Sequence, residues 1–447
     1  MKKKIVAYFL IFLLFLAATT ALACVEVAKV KPFYYDQIND IPAWKINLRN
    51  LSDELVQELR GGTFTANLLP IDDDTLLWYG YFEYHKQKRE EWHTIEYDVD
   101  IPREDAYAVA VDMQGTRKWS LALSDPHAQN SFDNARLLPD GRIIFWHNNA
   151  FGEWGSHYYI VSKDGEVQEM LPSYKVKDQG VYATLRPMHG GYLGGGACME
   201  DGALGAMYNV ANFAFFDKEL NLLWENQTDE YAPAQFGDMW ETSDGFLISG
   251  TYYSGYNPDT PMINQAMLLT PMVSKIGLGG ETIWVYKGNE LSATGAADIV
   301  ATADGGALFT TSFDPTAATP FEAQETGTLV KLNHNGELEW VKQYTEEHPF
   351  SYFLDLLPYK QGFLASGLLT GDSISWAVLY ITADGVPIDR IDIDLDGAEN
   401  SSVALVTAPN GSVYAYGTIT TSKTILAGMD QKTDCRPFYL NISDLFQ

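Results

Sequence analysis

The feature that most constrains the fold of this chain is an internal repeat with a period of roughly fifty residues. Its clearest copy runs from Asp298 to Trp340 and contains an Asp-Gly-Gly turn, then Leu-Val-Lys, then an Asn-x-x-Gly turn before the tryptophan. Asp-Gly pairs form tight hairpins because both central residues tolerate a positive φ. The first turn recurs with its glycines spaced by 50, 54, 61, 56 and 49 residues, at Gly141, Gly191, Gly245, Gly306, Gly362 and Gly411.

A second turn leads into a strand that carries tryptophan, and its clear copies are Gly115–Trp119, Gly280–Trp284 and Gly336–Trp340. The segment Asp217–Trp224 has the same length as the best copy, but its turn residue Asn221 is out of register. The match weakens where no tryptophan follows the glycine, at Gly165 and Gly385. Four strands in a unit of this length make one propeller blade. The repeat predicts seven blades, beginning near residues 64, 131, 182, 235, 295, 352 and 400.

The two ends of the chain predict how the ring closes. The last blade stops at a third strand, Pro437–Ile442, and an orphan tryptophan strand, Pro42–Leu48, stands near the other end. If the strand around Trp44 is the fourth strand of the last blade, both free edges disappear. The expected fold is therefore an all-β, seven-bladed β-propeller of four-stranded blades, closed by an N-terminal strand.

This fold divides the chain into an N-terminal segment and one ring. Residues 24–63 are expected to hold a linker, the closing strand and a short helix capped by Ser52, and residues 64–447 the blades. A β-sandwich or a β-solenoid is the alternative architecture. Neither of them predicts this period together with an orphan strand at the far end.

The repeat resembles that of bacterial exported β-propeller proteins. In this repeat Asp-x-x-x-Thr-x-Asp-Gly-Gly is followed by Leu-Val-Lys and then by (Asp/Asn)-x-x-Gly-x-x-x-Trp. Residues 295–344 match it best, and weaker copies cover most of residues 64–447. The resemblance implies a propeller and export. It implies no reaction, because propellers host enzymes and binding platforms alike.

The first 23 residues have the three parts of an export signal. Lys2–Lys4 is basic, Ile5–Leu16 is apolar, and Ala21–Ala23 has the small residues of a cleavage site. Cys24 follows directly, in the position of the acylated cysteine of bacterial lipoproteins. It carries lipid, pairs with Cys435 or stays a free thiol, and membrane fractionation of a Cys24→Ser variant separates the first alternative from the others. We expect an exported protein, located at the cell surface, in the periplasm or outside the cell.

The charge of the chain excludes some partners. With 59 acidic and 30 basic residues, its net charge is −29, which repels nucleic acid and anionic lipid headgroups. Membrane contact is therefore expected only through a lipid on Cys24. A neutral or cationic ligand is favoured, namely a carbohydrate or a protein partner, and the chain is expected to be a monomer.

One run of carboxylates suggests a cofactor. Asp392, Asp394 and Asp396 precede a glycine in the order Asp-x-Asp-x-Asp-Gly. This order opens a calcium loop, since Ca²⁺ prefers several carboxylates on a tight turn. The twelfth position should be glutamate and is Val403. The alternative is a β-strand with the three aspartates facing outward, and no cofactor other than calcium is suggested.

An aspartate recurs seven or eight residues before the first turn glycine, as Asp133, Asp238, Asp298 and Asp355. If this residue begins the innermost strand, the four carboxylates lie near one rim of the central channel, where they could hold a cation. The alternative is that each aspartate caps a backbone turn between blades. Recurrence with the repeat favours this role in the blade.

Three insertions between second and third strands depart from the repeat. They combine aromatic rings with polar groups, which suits a sugar or peptide face because rings stack and polar groups fix orientation. Aromatic loops also pack on one another merely to become ordered. The candidate ligand-binding residues are Trp92, Trp146, His147, Asn148, Trp154, Tyr252, Tyr253 and Tyr256.

Catalytic templates are missing from the sequence, which has no Gly-x-Ser-x-Gly, no His-Glu-x-x-His and no phosphate-binding loop. We therefore expect a non-catalytic, exported ligand-binding or scaffold propeller at the cell surface. One alternative is a secreted glycoside hydrolase or polysaccharide lyase that uses the channel-rim carboxylates. Another is a sensor or adhesin module within a larger assembly.

Overall fold

The protein is built from β-strands throughout its described part. The computed structural model describes residues 28–30, 33–34, 63–84, 103–123, 129–150, 157–172, 175–176, 180–201, 207–226, 234–254, 268–288, 296, 298–312, 326–345, 349–370, 375–393, 395, 400–423 and 432–446. No helix within these ranges is long and apolar enough to cross a membrane. The predicted helix after Ser52 lies outside them.

The strands form seven sheets, which are the blades of the ring. Two short strands, β1 (Ala28–Val30) and β2 (Phe33–Tyr34), precede the first blade. Blade 1 contains β3 (Thr63–Asp72), β4 (Thr75–Tyr84), β5 (Arg103–Val111) and β6 (Arg117–Leu123). Blade 2 contains β7 (Gln129–Leu137), β8 (Ile143–Ala150), β9 (His157–Val161) and β10 (Val167–Pro172). Blade 3 contains β11 (Lys175–Val176), β12 (Gly180–Met188), β13 (Gly191–Asp201), β14 (Met207–Phe216) and β15 (Leu222–Asn226).

The remaining blades follow the same antiparallel order. Blade 4 contains β16 (Ala234–Thr242), β17 (Gly245–Ser254), β18 (Leu268–Gly277) and β19 (Thr282–Lys287). Blade 5 contains β20 (Ile299–Ala301), β21 (Ala307–Ser312), β22 (Gly327–Leu332) and β23 (Leu338–Gln343). Blade 6 contains β24 (Phe350–Tyr359), β25 (Gly362–Leu369), β26 (Trp376–Thr382) and β27 (Pro387–Ile393). Blade 7 contains β28 (Asn400–Ser401), β29 (Ala404–Thr407), β30 (Val413–Lys423) and β31 (Lys432–Asn441).

An N-terminal strand completes the last blade, as predicted, but a different segment from the predicted one occupies the position. The strand that pairs with β31 is β2, with Tyr34 opposite Phe438. The position predicted for the strand around Trp44 is therefore filled by β2, and the segment around Trp44 lies outside the described residues. In addition, β1 pairs in parallel with β27, with Ala28 opposite Ile391. The N-terminal segment therefore covers the outer edges of both blade 6 and blade 7.

The hydrophobic core lies between the blades. In the described part of the chain, buried apolar side chains form seven clusters, and each cluster fills the gap between two neighbouring blades. One of them joins Trp78 of blade 1 to Tyr414 of blade 7. At the same junction, the Tyr439 hydroxyl donates to the Met113 carbonyl at 3.2 Å. The ring is thus closed by direct packing of the last blade on the first.

The repeated Asp/Asn-x-x-Gly motif forms the turn between third and fourth strands. In blade 5 the Asn333 carboxamide oxygen accepts the backbone amides of Asn335 and Glu337 at 2.9 and 3.0 Å. Gly336 then adopts φ +78°, a conformation that costs glycine little. Asp112 and Asp217 cap the matching turns of blades 1 and 3 in the same way.

The tryptophan of one blade packs on the turn glycine of the next. The Trp284 ring of blade 4 covers Gly336 of blade 5, and its indole nitrogen donates to the His334 carbonyl at 3.0 Å. Trp119 makes the same contact with the Gly165 turn, through the Lys163 carbonyl. The motif therefore joins neighbouring blades, with the glycine leaving room for the preceding blade's tryptophan.

Blade 3 shows what occupies this turn when the preceding blade provides no tryptophan. Its turn has Leu220, not glycine, at the position of positive φ, here +64°. The outer strand of blade 2, β10, carries no tryptophan that would need the space. Leu220 is 4% exposed and fills the gap between blades 2 and 3 together with Leu185 and Tyr158.

Candidate functional site in the central channel

The inner strands carry irregularities at the positions of the recurring aspartates. In blade 4 the pairing of β16 with β17 shifts between Phe236 and Met239, and Asp238 lies within this bulge. In blade 6 the corresponding shift lies between Phe353 and Asp355. A bulge changes the direction of the side chains beside it. These aspartates consequently point into the central channel and toward one another.

Asp298, Asp238 and Asp355 form one cluster, which we call the channel carboxylates. Asp298 interacts electrostatically with both of the others, and all three line one cavity. It is only 8% exposed. Burial raises the pKa of Asp298 well above its ordinary value, and the negative charges of Asp355 and Asp238 raise it further. Folding therefore favours the protonated form of Asp298.

The channel carboxylates also tie blades together through backbone amides. Asp298 of blade 5 accepts the Ile299 amide at 2.8 Å and the amide of Leu356, in blade 6, at 2.5 Å. Asp355 of blade 6 accepts the amide of Leu405, in blade 7, at 2.6 Å. Burial raises the pKa of Asp355, whereas these amides and the Asp298 hydrogen bond lower it. The pKa of Asp355 is nevertheless raised overall, because burial is the largest of these effects.

Two arginines on the inner strands of blades 2 and 3 interact with Asp238. Arg186 of β12 donates to the Met239 carbonyl at 2.6 Å and forms an ion pair with Asp238. Arg136 of β7 donates to the Ala135 carbonyl at 2.9 Å. Burial lowers the pKa of Arg136, and the charge of Arg186 lowers it further, but an arginine stays protonated at neutral pH.

A cavity of about 460 Å³ opens among these groups. Its wall combines polar and apolar groups and comes from blades 1, 4, 5, 6 and 7: Asn67, Gly237, Asp238, Asp298, Leu354, Asp355, Ser402, Ala404, Tyr416 and Gly417. Burial raises the pKa of Tyr416, as do the charges of Tyr79 and Asp355. Tyr416 is therefore a neutral hydrogen-bonding phenol at neutral pH.

The fourth predicted rim residue lies apart from this cluster. Asp133 occupies the corresponding bulge of β7, but it is exposed and bonds to the Ser131 hydroxyl. In the described part of the chain, no group of three or more His, Cys, Asp or Glu side chains is arranged to hold a metal ion. The channel carboxylates are included in that statement.

The predicted aromatic loops are only partly described. Trp146 packs against the cluster between blades 2 and 3, and His147 is 5% exposed and bonded to Asn130 at 3.1 Å. Lys287 lies 4.2 Å from the ring centre of Tyr252, and burial raises the pKa of Tyr253. The side chain of Asn148 and the residues Trp92, Trp154 and Tyr256 lie outside the described part.

The remaining predicted sites can be placed only in part. Asp392 lies on β27 and forms an ion pair with Arg390 at 2.8 Å, while Asp394 and Asp396 lie outside the described residues. Cys435 lies on β31, opposite Thr420. Cys24 and the side chain of Cys435 are outside the described part, so the lipid and disulfide alternatives remain predictions.

Sequence reasoning missed the arginines and Tyr416. Arg136 and Arg186 each stand five residues before the first turn glycine of their blade, Gly141 and Gly191, and this shared offset was a usable signal. Asn67 lines the cavity from the inner strand of blade 1, where later blades carry aspartate. Tyr416 sits on a second strand and has no sequence signal.

The sequence matches no protein-family model and no curated protein. Among solved structures, the WD40 domain of Pan2 from Neurospora crassa is 8% identical with a TM-score of 0.46, covering 86% of this chain and 90% of that one. The β-propeller domain of the Trilobed protease from Pyrococcus furiosus is 12% identical with a TM-score of 0.43, covering 85% and 99%. An ulvan lyase of polysaccharide lyase family PL25 is 10% identical with a TM-score of 0.47, covering 85% and 91%. These similarities concern the fold and select no function for this chain.

The raised pKa of Asp298 predicts a distinctive pH dependence of stability. A carboxyl whose pKa is raised by folding favours the folded state at low pH, and this contribution is lost as the pH rises from its ordinary value toward the raised one. The wild-type chain should therefore gain melting temperature relative to Asp298→Asn between pH 7 and pH 4. Thermal melts of both chains over this range measure the difference.

Asp140 provides a control of opposite sign. Its pKa is lowered, chiefly by the Arg142 backbone amide, so its contribution is lost as the pH falls. Asp140→Asn should therefore show no relative gain for the wild-type chain at pH 4. Parallel pH curves for the wild-type chain and Asp298→Asn would contradict a raised pKa of Asp298.

Proposed function

We propose that this chain is a non-catalytic ligand-binding propeller that takes a small polar ligand in its central channel. The observation that carries the proposal is the cavity of about 460 Å³ into which polar groups from several blades converge. This volume lies within the range of small-molecule sites, which is about 300–1,000 Å³. Hydrogen-bonding groups of differing chemistry, among them Asn67, Ser402 and Tyr416, suit recognition of one oriented ligand.

The layout of the carboxylates favours binding over hydrolysis. A glycoside hydrolase holds its two carboxyl groups about 5–9.5 Å apart with the scissile bond between them. Here Asp298 is close enough to Asp355 and Asp238 for both to raise its pKa. Backbone amides and Arg186 occupy further oxygens of the cluster. These bonds support the non-catalytic function over the hydrolase or lyase alternative.

Export and attachment complete the proposal. The basic, apolar and small-residue parts of residues 1–23 support export, and Cys24 supports attachment through a lipid. The net charge of −29 supports a ligand that is not a simple anion. A carbohydrate or an exposed part of a protein partner remains compatible with this chemistry.

A ligand panel with a blocked channel tests the proposal. Neutral oligosaccharides, amines, amino acids and sugar acids are screened by thermal shift, and hits are measured by titration calorimetry. Ser402 is exposed and lines the cavity, so Ser402→Phe should abolish binding without unfolding the chain. Ser243→Phe, on an exposed turn of blade 4 away from the cavity, should bind normally.

Two results would count against this function. If a ligand binds Ser402→Phe as tightly as it binds the wild-type chain, its site lies outside the channel. Cleavage of any oligosaccharide in the panel, lost in Asp355→Asn, would favour the enzymatic alternative.

A further inference from the structure

We propose that the outer wall of blades 3 and 4 is a docking surface for an extended, basic segment of a partner protein, which adds as a strand to the edge of β15. The surface lies on the outermost strands of the ring, apart from the central channel. It combines exposed apolar side chains with an open strand edge and a border of carboxylates. We call its apolar part the outer patch, which consists of Leu222, Leu223, Leu278 and Ile283.

The outer strands of four blades begin with the same bulge, so their residues can be compared position by position. In blade 3 the pairing of β14 with β15 shifts at this point and leaves Leu223 as the extra residue. The matching shifts leave Lys118 in blade 1, Ile283 in blade 4 and Glu339 in blade 5. Because charged residues occupy the position in blades 1 and 5, the blade architecture does not require an apolar side chain there.

The charged residues at this bulge bond within their own blades, whereas the apolar ones do not. In blade 1 the Lys118 ammonium donates to the Thr75 hydroxyl at 2.7 Å. In blade 5 the Glu339 carboxylate accepts a hydrogen bond from Lys331. Leu223 and Ile283 have no polar group for such a bond, and both stay exposed. Two neighbouring blades therefore present an apolar residue where the repeat can use a charged one.

The outer patch continues from blade 3 onto blade 4. Trp224, which follows Leu223, donates from its indole nitrogen to the Leu278 carbonyl at 2.9 Å, and its ring covers Gly280. This contact brings the turn of blade 4 beside β15. The four apolar residues of the patch are each 46% to 57% exposed. Contiguous exposed apolar surface of this kind is typical of a contact with a partner.

The edge of β15 determines the form of the partner. β15 is the outermost strand of blade 3, and no strand of the described part pairs with its outer edge. Such an edge presents unpaired N–H and C=O groups, to which an extended peptide can add. The chain itself uses this mode on blade 6, where β1 adds to β27 with Lys29 opposite Asp392. A short apolar segment that carries lysine therefore fits the outer edge of a blade of this ring.

Carboxylates border the outer patch and select a basic partner. Glu219 lies in the turn before β15, Glu225 lies on β15, and Glu281 follows the glycine that Trp224 covers; all three are exposed. Lys218 pairs with Glu219 at 3.4 Å. Lysines of an added strand would meet these carboxylates, while the apolar residues between them cover the patch. A second copy of the chain is disfavoured, because each copy carries a net charge of −29.

A synthetic peptide of alternating lysine and valine tests this surface. It is blocked at both ends, labelled, and titrated with the full chain at physiological salt, with fluorescence anisotropy as the readout. It should bind the wild-type chain. A lysine–serine peptide keeps the charge without the apolar side chains, and a lysine–valine peptide N-methylated at alternate residues lacks the amides that pair with an edge. Both should bind about ten-fold or more weakly.

Blade 1 provides the matched substitution. Leu222→Arg/Leu223→Lys gives blade 3 the Arg117-Lys118 pair that precedes the tryptophan of blade 1. This variant should keep its melting temperature and bind the lysine–valine peptide about ten-fold or more weakly. Leu222→Ser/Leu223→Ser removes the apolar side chains without adding charge and should weaken binding in the same way, including in the case that the first variant does not fold. Val386→Ser is the control, since Val386 is 51% exposed beside the outer strand of blade 6, and it should bind normally.

Four results would overturn the proposal. No binding of the lysine–valine peptide to the wild-type chain would remove the docking surface. Equal binding to the wild-type chain and to Leu222→Ser/Leu223→Ser would place the peptide elsewhere. Equal binding of the plain and the N-methylated peptide would exclude pairing with the edge of β15. Self-association of the wild-type chain in light scattering, lost in Leu222→Ser/Leu223→Ser, would make the outer patch a contact between two copies.

Discussion

Gly336→Ala is expected to lower the free energy of unfolding by about 2–5 kcal/mol. The left-handed conformation of Gly336, at φ +78°, costs a residue with a Cβ about 1–2 kcal/mol. A Cβ at this position would also lie 2.5 Å from Cδ2 of the Trp284 ring, and overpacking of this kind costs about 1–3 kcal/mol. Urea unfolding followed by circular dichroism measures the sum.

Gly411→Ala separates the two contributions. Gly411 has nearly the same backbone, with φ +85°, but no atom lies within 4 Å of the Cβ that alanine would add. The Gly411→Ala variant should therefore lose only the conformational contribution to the free energy of unfolding, about 1–2 kcal/mol. Removing the ring in Gly336→Ala/Trp284→Leu should make the alanine less costly than in the wild-type background. Equal losses for Gly336→Ala and Gly411→Ala would show that the tryptophan does not press on the glycine.

The blades could be predicted from the sequence because their turns are chemically specific. A positive φ demands glycine or a few tolerant residues. The turn residues therefore identify the strand ends independently of how the blades are arranged in space. The predicted start of blade 4 near residue 235 and the observed start of β16 at Ala234 agree for this reason. The exception at Leu220 follows the same physics, since the adjacent outer strand lacks the tryptophan that excludes a side chain elsewhere.

The closing strand could not be placed from pattern alone. The segment around Trp44 matched the composition of a fourth strand, whereas β2 has only two residues and carries no periodicity of its own. Alternation needs at least four residues to become visible. Which of these two segments pairs with blade 7 depends on the path of the chain past the edge of that blade. This path is set by the closed ring and not by the local sequence pattern.

The channel site was predictable only where it follows the repeat. Asp238, Asp298 and Asp355 recur seven or eight residues before a turn glycine and therefore stood out in the sequence. Their proximity depends in part on bulges beside Asp238 and Asp355, which change the direction of side chains in a way that the repeat does not reveal. Arg136 and Arg186 share an offset from their turn glycines, which was a usable signal, whereas Tyr416 lies at a position with no such pattern.

Starting the chain at residue 35 should destabilise it severely relative to a chain that starts at residue 28. The longer chain keeps β1 and β2, whereas the shorter chain exposes the edges of β27 and β31. Each backbone hydrogen bond lost costs about 0.5–1.5 kcal/mol, and open edges recruit other chains. The shorter chain should melt well below the longer one and aggregate with concentration, as measured by calorimetry and light scattering.

A chain that starts at residue 32 separates the two edges. It loses β1 from blade 6 but keeps Tyr34 opposite Phe438 in blade 7. Because β2 completes the last blade and β1 adds a fifth strand to a blade already complete, this chain should melt closer to the one that starts at residue 28. If all three chains melt together, the packing of blade 7 on blade 1, with Tyr439 bonded to Met113, closes the ring unaided. If the melting temperature of the chain from residue 32 lies between those of the other two chains, and only the chain from residue 35 aggregates, then β2 is the strand that protects the ring.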